Sequence, residues 1–114
     1  MNIVNRGIAV IKPKEPFRKW AMGVPDPPDS LNLEDLRQDC QAVLIPEFES
    51  DEAGRALVEE FSSVFFRLEL EGWTLDESQW PEDTSYEMFL EWFDVELHSV
   101  VLDLMKSEIE VEPF

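Results

Sequence analysis

The chain is poor in cysteine, glycine, histidine and positive charge, and each shortage excludes something. Its single cysteine, Cys40, rules out an internal disulfide and leads one to expect a reducing, cytoplasmic location. Four isolated glycines (Gly7, Gly23, Gly54 and Gly72) leave no glycine-rich phosphate loop. One histidine, His98, provides no two-histidine metal motif of the zinc or di-iron kind. Only 9 Lys and Arg stand against 26 Asp and Glu, a formal net charge of −17 over 114 residues. Such a surface repels polyanions, so no direct nucleic-acid binding is expected. No apolar run approaches the roughly 18 residues of a membrane span, so no membrane partner is expected either. The opening MNIVNRGIAVIKPK puts its charges after a short apolar stretch, the reverse of a secretory signal. Ser62, Ser63 and Ser99 lack a nucleophile motif. With 26 acids some carboxylate pairs are inevitable, so spacing alone names no general acid and base. The reading therefore leans away from an enzyme and assigns no catalytic residue and no cofactor.

What is present is enough to fold. At 44% hydrophobic and 11% aromatic, the chain has the apolar mass for a core despite its charge. Its length suits one acidic domain over residues 1–114. The charge is unevenly placed. Residues 1–20 carry five cations and one carboxylate, a net +4, while residues 21–114 carry four cations and 25 acids, a net −21. The basic segment either lies over the acidic remainder or reaches a second molecule. The residual negative field steers basic partners toward the protein.

Residues 7–12, Gly-Ile-Ala-Val-Ile-Lys, read as a strand closed by Pro13, and their nearly continuous apolar character predicts cover on both faces. Gln41–Ile45 reads as a second strand, closed by Pro46. Between them, Pro16–Met22 suits a short helix with proline in its first turn. Asn32 caps a helical turn that runs to about Gln38. Ser50 with Asp51 and Glu52 starts a long helix, whose apolar stripe runs through Ala53, Leu57, Phe61, Val64 and Leu68, widened by Val58 and Phe65, and which ends at Gly72. Thr74 to Glu77 has capping-box spacing and starts one loose turn ending at Trp80-Pro81. A second long helix is predicted from Ser85 to about Lys106, and the alternating tail Glu108–Glu112 predicts a further strand. The expected fold is α+β, a small two- or three-stranded sheet packed against two long C-terminal helices.

On that last helix, Tyr86, Phe89, Phe93 and Leu97 fall on one broad apolar face, with Met88, Trp92, Val95 and Leu102 on a narrower second. A helix apolar on two sides suits an interface, so a homodimer is the default expectation. Between the faces Glu87, Glu91, Asp94 and His98 fall within about 60° of one another on ideal geometry. Glu91, Asp94 and His98 are thus the candidate ligands for a divalent metal, against the alternative of a solvated stripe with an Asp–His pair. Trp73 and Trp80, with Asp76 and Glu77 in their acidic rim, and Trp92 are the candidate partner-binding residues, since aromatic anchors with charged surroundings make up many protein-binding patches. The alternative is that Trp73 and Trp80 plug the open end of the helical pair. Cys40, with Asp39 and Glu47 nearby, reads as structural.

Four short motifs carry a resemblance: Ile45-Pro46-Glu47 (within LIPEF), Glu71-Gly72-Trp73, Trp80-Pro81, and Trp92-Phe93 through His98-Ser99 to Asp103-Leu104 (within EWFDVELHSVVLDL). Over Leu44–Leu104, a little over half the chain, the sequence resembles a group of small acidic bacterial proteins of uncharacterised function. The resemblance implies no activity, ligand or fold, and carries over no functional residue.

The leading expectation is a non-enzymatic cytoplasmic interaction protein whose acidic surface binds a basic protein partner, with a homodimer as the self-associating form. One alternative is a metal-binding protein or metal-dependent enzyme built on Glu91, Asp94 and His98. The other is a nucleic-acid mimic, whose carboxylates along two helices would imitate phosphates and block a DNA- or RNA-binding protein.

Overall fold

The computed structural model describes residues 1–114 and is α+β, with four α-helices and two small antiparallel sheets. Strands β1 (Asn2–Val4) and β2 (Gly7–Pro13) open the chain, followed by helices α1 (Glu15–Met22) and α2 (Leu33–Gln38). Strand β3 (Gln41–Ile45) leads into the long helix α3 (Asp51–Glu71). A 3-10 turn at Glu77–Gln79 precedes the short helix α4 (Tyr86–Trp92), and strands β4 (Phe93–His98) and β5 (Val101–Asp103) follow. β2 is the central strand, with β3 and β4 antiparallel to it on either side.

The two sheets form one ribbon broken by a bulge. Ile8 faces His98 in the larger sheet, and Val4 faces Val101 in the β1–β5 pair. Three residues, Asn5 to Gly7, therefore oppose only two, Ser99 and Val100. One extra residue on one strand interrupts the ladder and bends it.

Local chemistry explains the helix starts. The Asn32 side chain accepts from the amides of Glu34 at 2.8 Å and Asp35 at 3.4 Å. Ser50 accepts from Ala53 at 3.1 Å, and Ser85 from Met88 at 3.3 Å. Each cap satisfies amides that the first turn leaves free. Pro16 sits in the first turn of α1, where a missing N–H costs nothing.

Four expectations are corrected. The second long helix does not exist: α4 ends at Trp92 and Phe93 is fully extended, with φ −140° and ψ 144°. From there Phe93 and Val95 are buried while Asp94, Glu96 and His98 are exposed, so the residues follow period two. The tail strand at 108–112 is likewise absent. β2 alternates between buried Gly7, Ala9, Ile11 and Pro13 and half-buried Ile8, Val10 and Lys12, so one face is sealed and the other only partly covered. Finally, α3 buries Gly54, Val58, Ser62, Phe65, Phe66, Glu69 and Leu70, so Val58 and Phe65, expected only to widen the stripe, lie at its centre and the expected centre line is not buried.

The core lies between the sealed face of the sheet and the helices. Phe17, Phe66, Phe89 and Phe93 meet there, with Phe93 5.0 Å from Phe17, 5.6 Å from Phe66 and 5.1 Å from Phe89 between ring centroids. Tilted and edge-on pairs of this kind contribute about 0.5–1.5 kcal/mol each beyond burial. Phe48 closes the far end. A Cβ on Gly7 would lie 2.5 Å from its ring and one on Gly54 3.0 Å from it, so two glycines make the slot the ring occupies.

Candidate functional site

The two edges of the larger sheet are treated differently. β4 carries Asp94, Glu96 and His98 on its exposed side, and the Arg55 guanidinium from α3 donates to the Val95 carbonyl at 3.0 Å. Charges and a side-chain donor of this kind block pairing with a further strand. β3 has no such guard. Gln41-Ala-Val-Leu-Ile45 contains no charged residue, and Leu44 is 52% exposed.

Beside that unguarded edge runs an apolar groove. One section, of about 710 Å³, lies between Gln41 to Leu44 of β3 and Leu68 and Glu71 of α3 with Gly72 and Leu75 just beyond it, and the tail residue Phe114 also borders it. A second, of about 200 Å³, continues past Val43 to Pro46 against Phe61 and Val64. Leu57, Phe61, Val64 and Leu68, expected in the core, are instead half-buried or exposed, and three of them line this groove. Leu57 and Phe61 also pack against the edge of the core, while Val64 and Leu68 are left to the wall of an open channel.

At the inner end lies a smaller cavity of about 170 Å³ that shares Gln41 and Gly72 with the groove. Glu69 forms part of its wall together with Phe17, Leu36, Asp39, Cys40 and Trp73. Glu69 is only 9% exposed, and its Oε1 has no hydrogen-bond partner. Burial alone pushes its carboxyl up from 4.5 to about 7, because removal from water penalises the charged form.

The residues singled out in the sequence are scattered. Glu91 lies on α4, whereas Asp94 and His98 lie on β4, so the helical stripe that would align them is not formed. Asp94 is held by Arg37 at 3.0 Å and lies 4.0 Å from Lys14, and His98 Nε2 is 2.7 Å from Glu96. Glu96 is bonded by His98 and by Lys12, at 3.1 Å, and both hold its pKa below the usual glutamate value. No three His, Cys, Asp or Glu side chains are gathered to hold a metal ion.

The tryptophans pack against the core at its rim. Trp80 donates its indole N–H to the Thr74 carbonyl at 3.0 Å, with the Arg67 guanidinium 5.6 Å from its ring centre. Trp92 joins the aromatic cluster, 5.4 Å from Phe66. Asp76 accepts from the Ser78 hydroxyl at 2.6 Å and its amide at 3.0 Å, bonds that lower its pKa. Glu77 reaches Arg67 at 3.5 Å. Of this set only Trp73 borders the site, in the wall of the inner cavity. Cys40 is half-buried beside it, and its thiol is 3.4 Å from the Arg37 carbonyl.

Sequence reading missed Glu69. Its signal is positional: Val58, Ser62, Phe65 and Glu69 recur at four, three and four residues, so an acid stands where the helical period calls for a core residue. No helix is long and apolar enough to cross a membrane. Comparison with protein-family models, curated proteins and solved structures finds no match.

Proposed function

We propose that this is a cytoplasmic interaction protein, binding rather than catalytic, which receives a basic protein partner as an extended strand on the free edge of β3. The observation that carries this reading is that the uncharged free edge of β3 borders apolar side chains of α3 (Phe61, Val64 and Leu68) that stay half-buried or exposed. Backbone pairing along β3 would supply affinity, and alternate side chains would enter the groove. Charge selects the partner. Glu71 lines the groove, and the net charge of −17 favours a cationic segment over a second acidic copy. The mimicry alternative has a shorter second helical row to stand on, since α4 carries only Glu87 and Glu91. We also place the chain with the small acidic bacterial proteins it resembles, a grouping that supplies no activity.

A different surface favours self-association. Ile3 faces Leu102 across the β1–β5 ribbon, and Val100 and Leu104 follow at strand spacing. All four are more than half exposed. The ribbon also begins in the only basic stretch of the chain, where a like-charged copy meets the least repulsion.

A fluorescent Lys-Val-Lys-Ile-Lys-Val peptide tests the first reading by anisotropy, with amide resonances of Gln41–Ile45 followed in parallel. The expected result is saturable binding that shifts those amides, that weakens with salt mainly through slower association, and that drops at least about tenfold when alternate peptide amides are N-methylated. Equal binding of the methylated peptide overturns strand addition. Absence of binding at low salt overturns the basic-partner reading.

A further inference from the structure

We propose that the cavity beside Glu69 is a binding site for a primary ammonium group on a short alkyl stem, delivered by a lysine side chain of the strand that pairs with β3. The lysine as source rests on the reading above, whereas recognition of the ammonium group does not.

A carboxylate oxygen that is buried and without a hydrogen-bond partner requires a donor, and the best donor for an ionised carboxylate is a cation. No cation of the chain bonds it: Arg6, Lys19 and Lys106 form no ion pair, and the other six are engaged elsewhere. Arg37 is spent on Asp94 and the Pro13 carbonyl, and Arg67 on Glu71 and Glu77. Lys12, Lys14, Arg18 and Arg55 pair with Glu96, Asp94, Glu15 and Asp51. The walls suit a stem with a charged tip: Phe17 and Leu36 offer apolar contact, and Trp73 offers an aromatic ring that tolerates a cation. At about 170 Å³ the cavity is well below the roughly 300 Å³ at which drug-sized pockets begin, so it fits one side chain and little more. A metal ion is the poorer occupant, since no three ligating side chains converge. Position links the cavity to the groove: Gln41 borders both and starts β3, so a strand paired there sets a side chain at the cavity mouth.

The test is a titration of the full chain with n-butylammonium chloride, read from the Trp73 indole resonance in NMR. n-Butanol and sodium chloride at matched ionic strength are the controls. Butylammonium alone should give a saturable shift, about tenfold tighter near pH 8 than near pH 6, as Glu69 ionises. Asp39 and Cys40 are the other titratable side chains in the wall. Asp39→Asn and Cys40→Ser should keep the pH step, and Glu69→Gln should remove both the step and the binding. An equal shift with butanol, retained binding in Glu69→Gln, a pH step lost with Asp39 or Cys40 instead, or no saturable shift in the wild type would each overturn the site. The lysine peptide keeps the two readings apart. Peptide binding without butylammonium binding removes the ammonium site and leaves the groove, while the reverse removes the groove and leaves the site.

Discussion

Glu69 makes the stability of this protein depend on pH in an unusual direction. Most folded carboxylates have lowered pKa values and lend stability that is lost in acid. Glu69 has a raised one, about 7 against 4.5, so the unfolded chain ionises it first. Stability is full below the unfolded value and declines as pH rises from about 4.5 through 7, then levels off. The full difference corresponds to about 3 kcal/mol, of which about 2 kcal/mol falls between pH 5.5 and 8.5. Glu69→Gln keeps the shape and one carbonyl oxygen but cannot ionise. The variant should therefore be more stable than wild type, by about 1 kcal/mol near pH 5.5 and about 3 kcal/mol near pH 8.5. Urea unfolding followed by tryptophan fluorescence reads this directly. With an m-value of about 1–2 kcal/mol/M, the gap between the two midpoints should widen by about 1–2 M across that range. Every other titrating group, Asp39 and Cys40 in the same wall included, is common to both proteins and cancels in the difference. A gap that stays constant with pH would refute the reasoning, because it would mean that Glu69 ionises alike in the folded and unfolded chains.

Two further outcomes are expected. Gly54→Ala should gain about 1 kcal/mol in helix preference and lose about 1–3 kcal/mol to crowding, since its Cβ would lie 2.9 Å from Leu97 Cδ1 and 3.0 Å from the Phe48 ring; a net loss of about 1 kcal/mol should lower the melting temperature. Leu102→Asp should convert a wild-type dimer to monomer in sedimentation equilibrium without unfolding it, and a monomeric wild type would refute the ribbon interface.

Apart from the three-residue strand β1, which was not read, the first half of the chain was legible because its signals are local. Proline and asparagine mark the starts of α1 and α2, and short apolar runs ended by proline mark β2 and β3. The C-terminal strands were not, because Phe93-Asp-Val-Glu-Leu-His98 satisfies two periods at once. Phe93 and Leu97 fit a helix stripe, while Phe93, Val95 and Leu97 fit a strand face, and pairing with β2 decides between them. The α3 stripe was displaced for a related reason. Its buried line includes Gly54, Ser62 and Glu69, which an apolar count passes over, whereas Phe61, Val64 and Leu68 of the richer line border the groove. The site was therefore present in the sequence but assigned to the core, and Trp73 was picked out without the cavity it borders.

The placement of the few cations explains why the groove, rather than the open face of the sheet, should receive a basic segment. Lys12, Lys14 and Arg37 all turn toward Asp94 and Glu96, so the acids of β4 are largely neutralised where they stand. Residues 46–72 carry eight acids against Arg55 and Arg67, a net −6, and both arginines are already paired. Uncompensated charge therefore lies along α3, beside the strand edge that has no charge of its own, as it does over residues 73–92, which carry six acids and no cation. Buried Glu69 sits at the inner end of that field with an oxygen no group of the chain satisfies. A chain selected only for solubility would gain nothing by placing an acid there, since a leucine at the same point of the stripe would avoid the cost of burial. The cost has a purpose if the missing charge arrives with the partner: long-range attraction brings a basic strand to the edge, and one lysine among its side chains fixes the register.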